Sequence, residues 1–527
     1  MISEEVEETK KLYRRYLDRK GKKLLDRPFI DRCLKELSNS DSLIISAPTG
    51  YGKSLVSLFA TYLTLLGRSG WEKLVVAFPT RALINQQEEK FKGTFEDWKE
   101  LIGLRHMGVT ESRYFSKPVT ITTYDTLSMT SFGLSPDDRV SANADDYFLP
   151  HYLFSRFSAM ISNLVLDEAH LMYDSQKSLN YLLFLAYLYT KVLQRKFVLL
   201  SATLPDSFTE PLQEFGFKKL EMKKEDDEEF WSERLNKAYS TEIKKVKGKE
   251  EAVKFISDKL RENNYRRALV VLNTVEEAQE VYKSVGSADR VLLIHSRYTD
   301  EDKAKKVEKI NSMKEGVVIG TQSVEVGIDS SFDLMITDAA PLNSLVQRFG
   351  RFLRDEGDEK GYAFILLDQE ECGSKYKGIY DMGLVRKSVE ALKERMNRGE
   401  SVNLHVGYKD MLNQVYSDRI PMPYNQLSQM YRVFMDFSFE PLYELFWGLG
   451  GSFIRDEVLV DGVVNGPETI HVPVDMSFAE KHLEEIRCGE QVVSAKNDLT
   501  NYAIMGCSFV LRGVNYDSEL GLTTKMV

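Results

Sequence analysis

Cysteine is scarce. The chain has four in 527 residues, Cys33, Cys372, Cys488 and Cys507, and no two of them form a C-x-x-C pair. That spacing argues against a zinc ribbon or an iron–sulfur cluster held by four neighbouring cysteines, and the scatter suits a reducing cytosol. Histidine is also sparse: seven residues, none followed by aspartate. No apolar run approaches the roughly 18–20 residues that a bilayer-crossing helix needs. The most apolar helical run, Leu179–Leu188, is shorter and contains Asn180, and reads as a buried helix. The opening residues, MISEEVEETKK, are acidic and lack a hydrophobic signal core, so a cytoplasmic location without a membrane partner is expected. Positive charge is not in excess either. Lys and Arg total 70 against 80 Asp and Glu, a net charge of -10, which leaves room for a local basic track but not for a wholly basic surface.

What is abundant is a rhythm of short apolar runs separated by helical patterns, the sequence form of a parallel α/β sheet. A first series comprises Leu43–Ile45, Leu74–Val76, Val119–Ile121, Leu164–Leu166 and Phe197–Leu200; a second comprises Leu269–Val271, Val291–Leu293, Val317–Ile319 and Ala363–Leu366. Between them lies a charge-rich stretch from about Lys218 to Glu251, read as a solvated connection. After about residue 370 the rhythm stops. Residues 371–450 look helical and aromatic-rich, and 451–527 alternate like short strands. The organisation expected is therefore a domain over 1–217, a linker and second domain over 218–370, and a mixed C-terminal accessory domain over 371–527.

The first domain carries a phosphate-binding loop. Ala47-Pro48-Thr49-Gly50-Tyr51-Gly52-Lys53-Ser54 follows a strand and opens a helix. In that setting backbone N–H groups cradle phosphate and the helix N-terminus adds a favourable dipole. Thr49, Gly50 and Gly52 belong to the cradle, Lys53 is assigned to the β- and γ-phosphates, and Ser54 to Mg²⁺. Ala47 stands where the strict pattern has glycine. Asp167-Glu168-Ala169-His170 ends another strand. Asp167 is the second candidate Mg²⁺ ligand, and Glu168 the candidate base for the attacking water. Ser201-Ala202-Thr203 closes the next strand, where small hydroxyls can bond those carboxylates.

The second domain offers the complement. Gln347-Arg348-Phe349-Gly350-Arg351-Phe352-Leu353-Arg354 places Arg351 and Arg354 three apart, on one helix face if the helix continues. Together with Gln347 they are candidates for stabilising phosphoryl transfer across a composite ATP·Mg²⁺ site, as arginine fingers do. Upstream, Thr321-Gln322-Ser323-Val324-Glu325-Val326-Gly327-Ile328-Asp329 follows a strand. Gly327 is read as permitting close backbone approach, and Asp329 as meeting the ribose or a finger arginine.

In this order and on these strands the motifs resemble helicase superfamily 2. The combination of SATLP, His295-Ser296-Arg297-Tyr298, TQSVEVGID and QRFGRFLR is similar to the CRISPR-associated helicases of type I interference systems, over roughly residues 25–367. The resemblance implies two RecA-like P-loop NTPase domains, ATP and Mg²⁺ as cofactors, and a single-stranded DNA track with 3′ to 5′ movement. It also implies recruitment by a crRNA-guided surveillance complex. VEVGID resembles DNA-repair helicases too, so a repair helicase of the same superfamily stays open, as does an ATP-gated clamp that binds nucleic acid without unwinding it. Two departures matter. The family usually reads adenine with a glutamine just after a segment like Arg27-Pro28-Phe29; here Ile30 follows, and the first glutamine is Gln86. Nucleobase preference is expected to be relaxed, and a strong preference for ATP over GTP in steady-state hydrolysis would refute that. Many relatives also carry a fused nuclease with a His-Asp pair, which this sequence does not contain, so a separate HD-type nuclease is expected as partner.

Family motifs also suggest a strand-binding track: Thr80, Arg81 and Gln86 after the second strand, Thr122 and Thr123 after the third, and Asn273 and Thr274 in the second domain, completed by Ser296, Arg297 and Thr321. Hydroxyls, amides and backbone groups at strand ends hold a nucleic-acid backbone without reading bases, although any one of them can equally cap a helix. The aromatics between Tyr424 and Trp447 could stack on bases, but their spacing suits a packed core better.

Overall fold

Five of the apolar runs of the first series are strands buried along their whole length: β1 (Ser42–Ser46), β2 (Leu74–Phe78), β4 (Val119–Thr123), β5 (Asn163–Asp167) and β6 (Phe197–Ser201). In a computed structural model of the chain they join β3 (Ile102–Arg105) and β7 (Lys218–Glu221) in a seven-stranded sheet of order β3-β4-β2-β5-β6-β1-β7. Every pairing in it is parallel. Strands covered by helices on both faces read as continuous Val/Ile/Leu runs, which is why they were visible in the sequence. The structure describes residues 2–134 and 151–524, apart from 69, 107–108, 174, 263, 287–289, 326, 356, 359, 370–378, 401, 419, 457, 467, 490, 494–498 and 505.

A second parallel sheet has six strands: β8 (Ala238–Val246), β9 (Arg267–Val271), β10 (Val291–Ile294), β11 (Gly316–Gly320), β12 (Leu334–Asp338) and β13 (Lys360–Asp368). Their order is β10-β11-β9-β12-β13-β8, again parallel throughout. A third sheet, β15-β14-β18-β16-β17, is mixed. It comprises β14 (Leu459–Val464), β15 (Ile470–Asp475), β16 (Leu483–Cys488), β17 (Gln491–Val493) and β18 (Ser508–Leu511). A separate hairpin pairs β19 (Val514–Asp517) with β20 (Gly521–Thr524).

Three sequence-based expectations need correction. The charge-rich stretch 218–251 is not a linker: β7 closes the edge of the first sheet against β1, and β8 closes the edge of the second against β13. Edge strands keep one side in water, so Lys218-Lys219-Leu220-Glu221 reads as solvated chain although it is paired. Second, the chain divides into two compact units, residues 1–227, 418–458 and 495–507 in the first and 228–417, 459–494 and 508–527 in the second. The division after Asp227 falls inside the stretch where the boundary was expected, whereas 371–527 is divided between the two units. Third, the cysteines are not all reduced thiols: Cys488 is disulfide-bonded, whereas Cys33 is free and buried.

The physical reason for the second correction lies in the first unit's core. Ile420, Leu427, Met430, Phe434, Leu442, Phe446, Phe453 and Ile454 are buried in one cluster with Ile44, Leu166, Phe184 and Leu199 of the sheet and its helices. Phe453 stacks on Phe132 with ring centroids 4.4 Å apart, and Phe434 meets Phe132 edge-on at 5.8 Å. The aromatic run is therefore core at Phe434 and Phe446, whereas Tyr424 and Phe437 stay exposed. Of the run Leu179–Leu188, all but Leu188 lies in the helix Gln176–Tyr187, and its apolar residues from Leu179 to Ala186 are buried, as expected. Among the described residues, no helix is long and apolar enough to cross a membrane.

Candidate nucleotide site and strand-end loops

In open parallel sheets ligands bind beyond the carboxyl ends of the strands, and that is where each motif falls. In the first unit β1 runs into the loop 47–53, and Ala47 N–H is held by Ser201 O at 3.1 Å. Gly50 and Gly52 take φ of 79° and 100°, a region that suits glycine, and the helix Ser54–Leu65 follows. Lys53 is buried, and its Nζ donates to Ala47 O at 2.8 Å and Pro48 O at 3.2 Å, the loop's own carbonyls. Ser54 Oγ accepts from Lys90 Nζ at 3.3 Å. Lys90, on the helix Arg81–Thr94, was not singled out from sequence. Nothing in its local pattern marks it, because only the packing of that helix brings it to the loop.

Asp167 ends β5 with its side chain buried, and its Oδ1 accepts the Glu168 N–H at 3.0 Å. Burial, and then the Glu168 carboxylate, push the Asp167 carboxyl well above the usual carboxylate range; Lys53 and Lys90 pull it back. A divalent cation bound there would favour the ionised carboxylate in the same direction as Lys53 and Lys90. Glu168 has φ of 60°, a left-handed conformation that costs a non-glycine residue about 1–3 kcal/mol. Its Oε2 is buried and makes no hydrogen bond, as is true of Thr49 Oγ1 and Thr203 Oγ1. Unpartnered buried oxygens beside a phosphate cradle fit a ligand of ATP, Mg²⁺ and water. Ser201 does not bond the carboxylates: its Oγ lies 3.1 Å from His170 Nδ1 and accepts the Thr203 N–H at 3.2 Å, as a strand-to-loop turn does. Burial lowers the His170 pKa, so a neutral imidazole links the β5 and β6 loops.

Where the family glutamine is absent, Ile30 is buried on the core face of the helix Pro28–Asn39. Arg27 instead lies over the Tyr51 ring at 5.2 Å and 3.8 Å from Asp227, while Tyr51 OH donates to Asp227 Oδ2 at 2.9 Å.

In the second unit the helix Leu342–Phe349 ends at Gly350. Arg351 and Arg354 therefore do not share a helix face; a turn with Leu353 at φ 48° carries them. They nonetheless reach one loop. Arg351 Nη2 donates to Glu325 O at 2.9 Å, and Arg354 Nη2 pairs with Asp329 Oδ1 at 2.9 Å, the aspartate–arginine meeting expected from sequence. Gln347 is buried with its Nε2 unbonded. Arg348 is fully buried and structural: it bonds Glu325 Oε1 at 2.8 Å, Thr337 Oγ1 at 2.7 Å and Asp338 O at 3.1 Å. Gly327 has φ of 91°, and a Cβ there would meet nothing within 4 Å; backbone conformation rather than close approach within the protein explains the glycine.

The expected strand-binding residues separate into three groups. Thr80, Thr123 and Thr274 cap the helices Arg81–Thr94, Tyr124–Ser131 and Val275–Val285. Thr122 and Asn273 are turned into the protein: Thr122 Oγ1 donates to Arg105 O at 2.5 Å, and Asn273 Nδ2 donates to Ala339 O at 3.0 Å while its Oδ1 accepts from Arg348. Thr321 is also buried. Arg81, Gln86 and Arg297 are half-buried and Ser296 is exposed, and Arg297 is ion-paired with Glu276.

Residues 27–211 match the family described as DEAD/DEAH box helicase, and residues 264–357 match that described as CRISPR-associated nuclease/helicase Cas3, C-terminal. The CRISPR-associated helicase Cas3 of Thermoproteus tenax is 26% identical over 414 residues, covering 73% of this chain and 65% of that protein. This chain therefore spans less than two thirds of that relative's length. The crystal structure of T. fusca Cas3 with AMPPNP superposes with a TM-score of 0.66 at 17% identity, over 95% of this chain and 70% of that one. A CRISPR RNA-guided surveillance complex in a pre-nicking state contains a chain with a TM-score of 0.62 at 18% identity, over 94% of this chain and 69% of that one. These two likenesses establish the fold, and the two family matches fall on the two parallel sheets that carry the motifs. Residues 27–211 thus carry a DEAD/DEAH box helicase domain and residues 264–357 a Cas3-like C-terminal domain, the pair expected of a Cas3-like helicase of superfamily 2.

Proposed function

We propose that the chain hydrolyses ATP to move along single-stranded DNA, as the helicase of a type I CRISPR interference system working with a separate nuclease. The observation that carries the reading is the first unit's strand-end cluster: a phosphate loop, a buried Asp167 carboxyl facing Lys53 and Lys90, and a Glu168 oxygen without a hydrogen-bond partner. The surveillance-complex likeness and the T. tenax relative support the CRISPR assignment.

In the proposed reaction the loop N–H groups and Lys53 hold the β- and γ-phosphates, Lys53 exchanging its bonds to Ala47 and Pro48 for phosphate oxygens. Glu168 orients a water and takes its proton as the water oxygen bonds to the γ-phosphorus. The bond from that phosphorus to the bridging oxygen breaks, leaving ADP and phosphate. Mg²⁺, when bound by Ser54 and Asp167, supplies charge neutralisation of the phosphate oxygens. Arg351 and Arg354 stabilise the charge that builds on the transferring group, with Gln347 and Asp329 aligning them. Arg81, Gln86, Ser296 and Arg297 hold the strand by its backbone, which gives motion without sequence preference.

ATP hydrolysis measured with no polymer, with single-stranded DNA and with single-stranded RNA tests this. DNA should raise kcat severalfold or more, RNA should not, and Lys53→Ala should abolish both basal and stimulated rates. A rate indifferent to both polymers would favour the clamp reading. DNA stimulation with unwinding of forks that needs no guide complex would favour a repair helicase.

A further inference from the structure

In the second unit the loop after β10, which holds Ser296 and Arg297, is braced by the β19–β20 hairpin, some 220 residues away in sequence. Both ring nitrogens of His295 are used. Nε2 donates to Leu520 O at 2.9 Å, and Nδ1 accepts the Arg297 N–H at 3.1 Å. That pair of partners requires a neutral imidazole with its proton on Nε2, and burial holds the His295 pKa down at about 3. The far side of the loop is tied as well. Leu522 N–H donates to Arg297 O at 2.9 Å, Tyr298 OH donates to Glu519 O, and Thr299 N–H donates to Tyr516 OH at 3.1 Å. Between these ties Ser296 is exposed, and the Arg297 guanidinium lies 2.5 Å from Glu276 Oε1 and 4.2 Å from the Phe478 ring centroid.

Gly521 sets the fit. Its φ is +69°, and a Cβ on it would lie 2.6 Å from Arg297 O and 2.7 Å from His295 Cε1. Neither neighbour is the free end of a flexible side chain, so any larger residue must push the hairpin and the loop apart.

We propose that the β19–β20 hairpin is the positioning element for the single-strand contact made by Ser296 and Arg297, with Gly521 as the point that sets the distance between them. The inference rests on the reading of Arg297 as a phosphate contact. It concerns the hairpin as a brace, not as a ligand of the strand.

The test is binding of a labelled single-stranded DNA to the full chain over a salt series, for wild type, Gly521→Ala, Arg297→Ala and the double variant. Loss of one charge-assisted contact corresponds to a weakening of about tenfold or more. It also lowers the slope of log K against log salt by about 0.7. Gly521→Ala should show both effects, leave basal ATP hydrolysis unchanged, and add nothing in the Arg297→Ala background. A Gly521→Ala protein with the wild-type salt slope, or one whose effect adds to that of Arg297→Ala, overturns the inference. If Gly521→Ala does not fold, Tyr516→Phe, which removes the acceptor for Thr299 N–H, should weaken binding about threefold; unchanged binding overturns the proposal. Arg297→Ala with unchanged binding defeats the phosphate reading itself. Weakened binding in Arg297→Ala beside normal binding in Gly521→Ala defeats the positioning role alone.

Discussion

Glu168→Gln is expected to lower kcat for ATP hydrolysis by about 10²–10⁴-fold, the usual contribution of a positioned general base, while ATP affinity changes little. Gln is isosteric with Glu and equally strained at φ 60°, so the backbone of the loop gains no reason to move. What is lost is the proton acceptor. Glu168 Oε2 makes no hydrogen bond in the protein, and His170 Nδ1 lies 3.4 Å from it, so besides the base the substitution removes an electrostatic contact with a buried imidazole. Single-turnover phosphate release should fall, while equilibrium binding of a non-hydrolysable analogue stays within a few-fold of wild type. A variant that retains a third or more of the wild-type rate would place the base elsewhere. A variant that loses binding along with rate would make Glu168 a structural residue of the loop.

The second large effect is on stability. Phe453→Ala should destabilise the nucleotide-binding unit by about 3–5 kcal/mol, the range for deleting a buried phenyl ring, although Phe453 lies some 280 residues from the DEAH loop in sequence. Phe453 is fully buried, stacked on Phe132 and 5.5 Å from the Phe446 ring. A domain is stable by only about 5–15 kcal/mol, so this loss is a large fraction of the total. Arg455→Ala, two residues along, is the contrast. Its bidentate pair with Asp125, at 2.6 Å for both bonds, joins side chains that are 40% and 33% exposed. Solvent screening leaves such a pair about 0–1 kcal/mol. Urea unfolding followed by loss of nucleotide binding should separate the two variants clearly. Equal midpoints for Phe453→Ala and wild type would mean that 418–458 is an appendage and not part of the first unit's core.

The corrections at the strand-binding loops have a common origin. Thr80, Thr123 and Thr274 stand at strand ends, as the family pattern requires, and each also caps the helix that follows. A hydroxyl in that position satisfies an orphan helix N–H whether or not a phosphate is near, so sequence position alone does not distinguish the two roles. Asn273 illustrates the opposite error. Asn273 was expected on the strand-binding track, and Arg348 was assigned no ligand, yet the two bond each other in the interior at 3.4 Å.

The sequence by itself determined the two parallel sheets, the phosphate loop and the carboxylate pair. Those features are written locally: a doubly covered strand needs a continuous apolar run, a phosphate cradle needs glycines before a helix, and the carboxylate pair stands at a strand end. Tertiary structure alone decided the rest. Gly350 ended the helix before Arg351, so the two arginines meet one loop through a turn rather than a shared face. The charged β7 and β8 became strands because a neighbouring edge offered hydrogen bonds, which composition does not record. Residues 418–458 joined the first unit because their apolar faces fill its core. Lys90 reaches Ser54, and Gly521 the loop after β10, only through contacts with chain distant in sequence, since burial and packing depend on which surfaces meet and not on the order in which residues are joined.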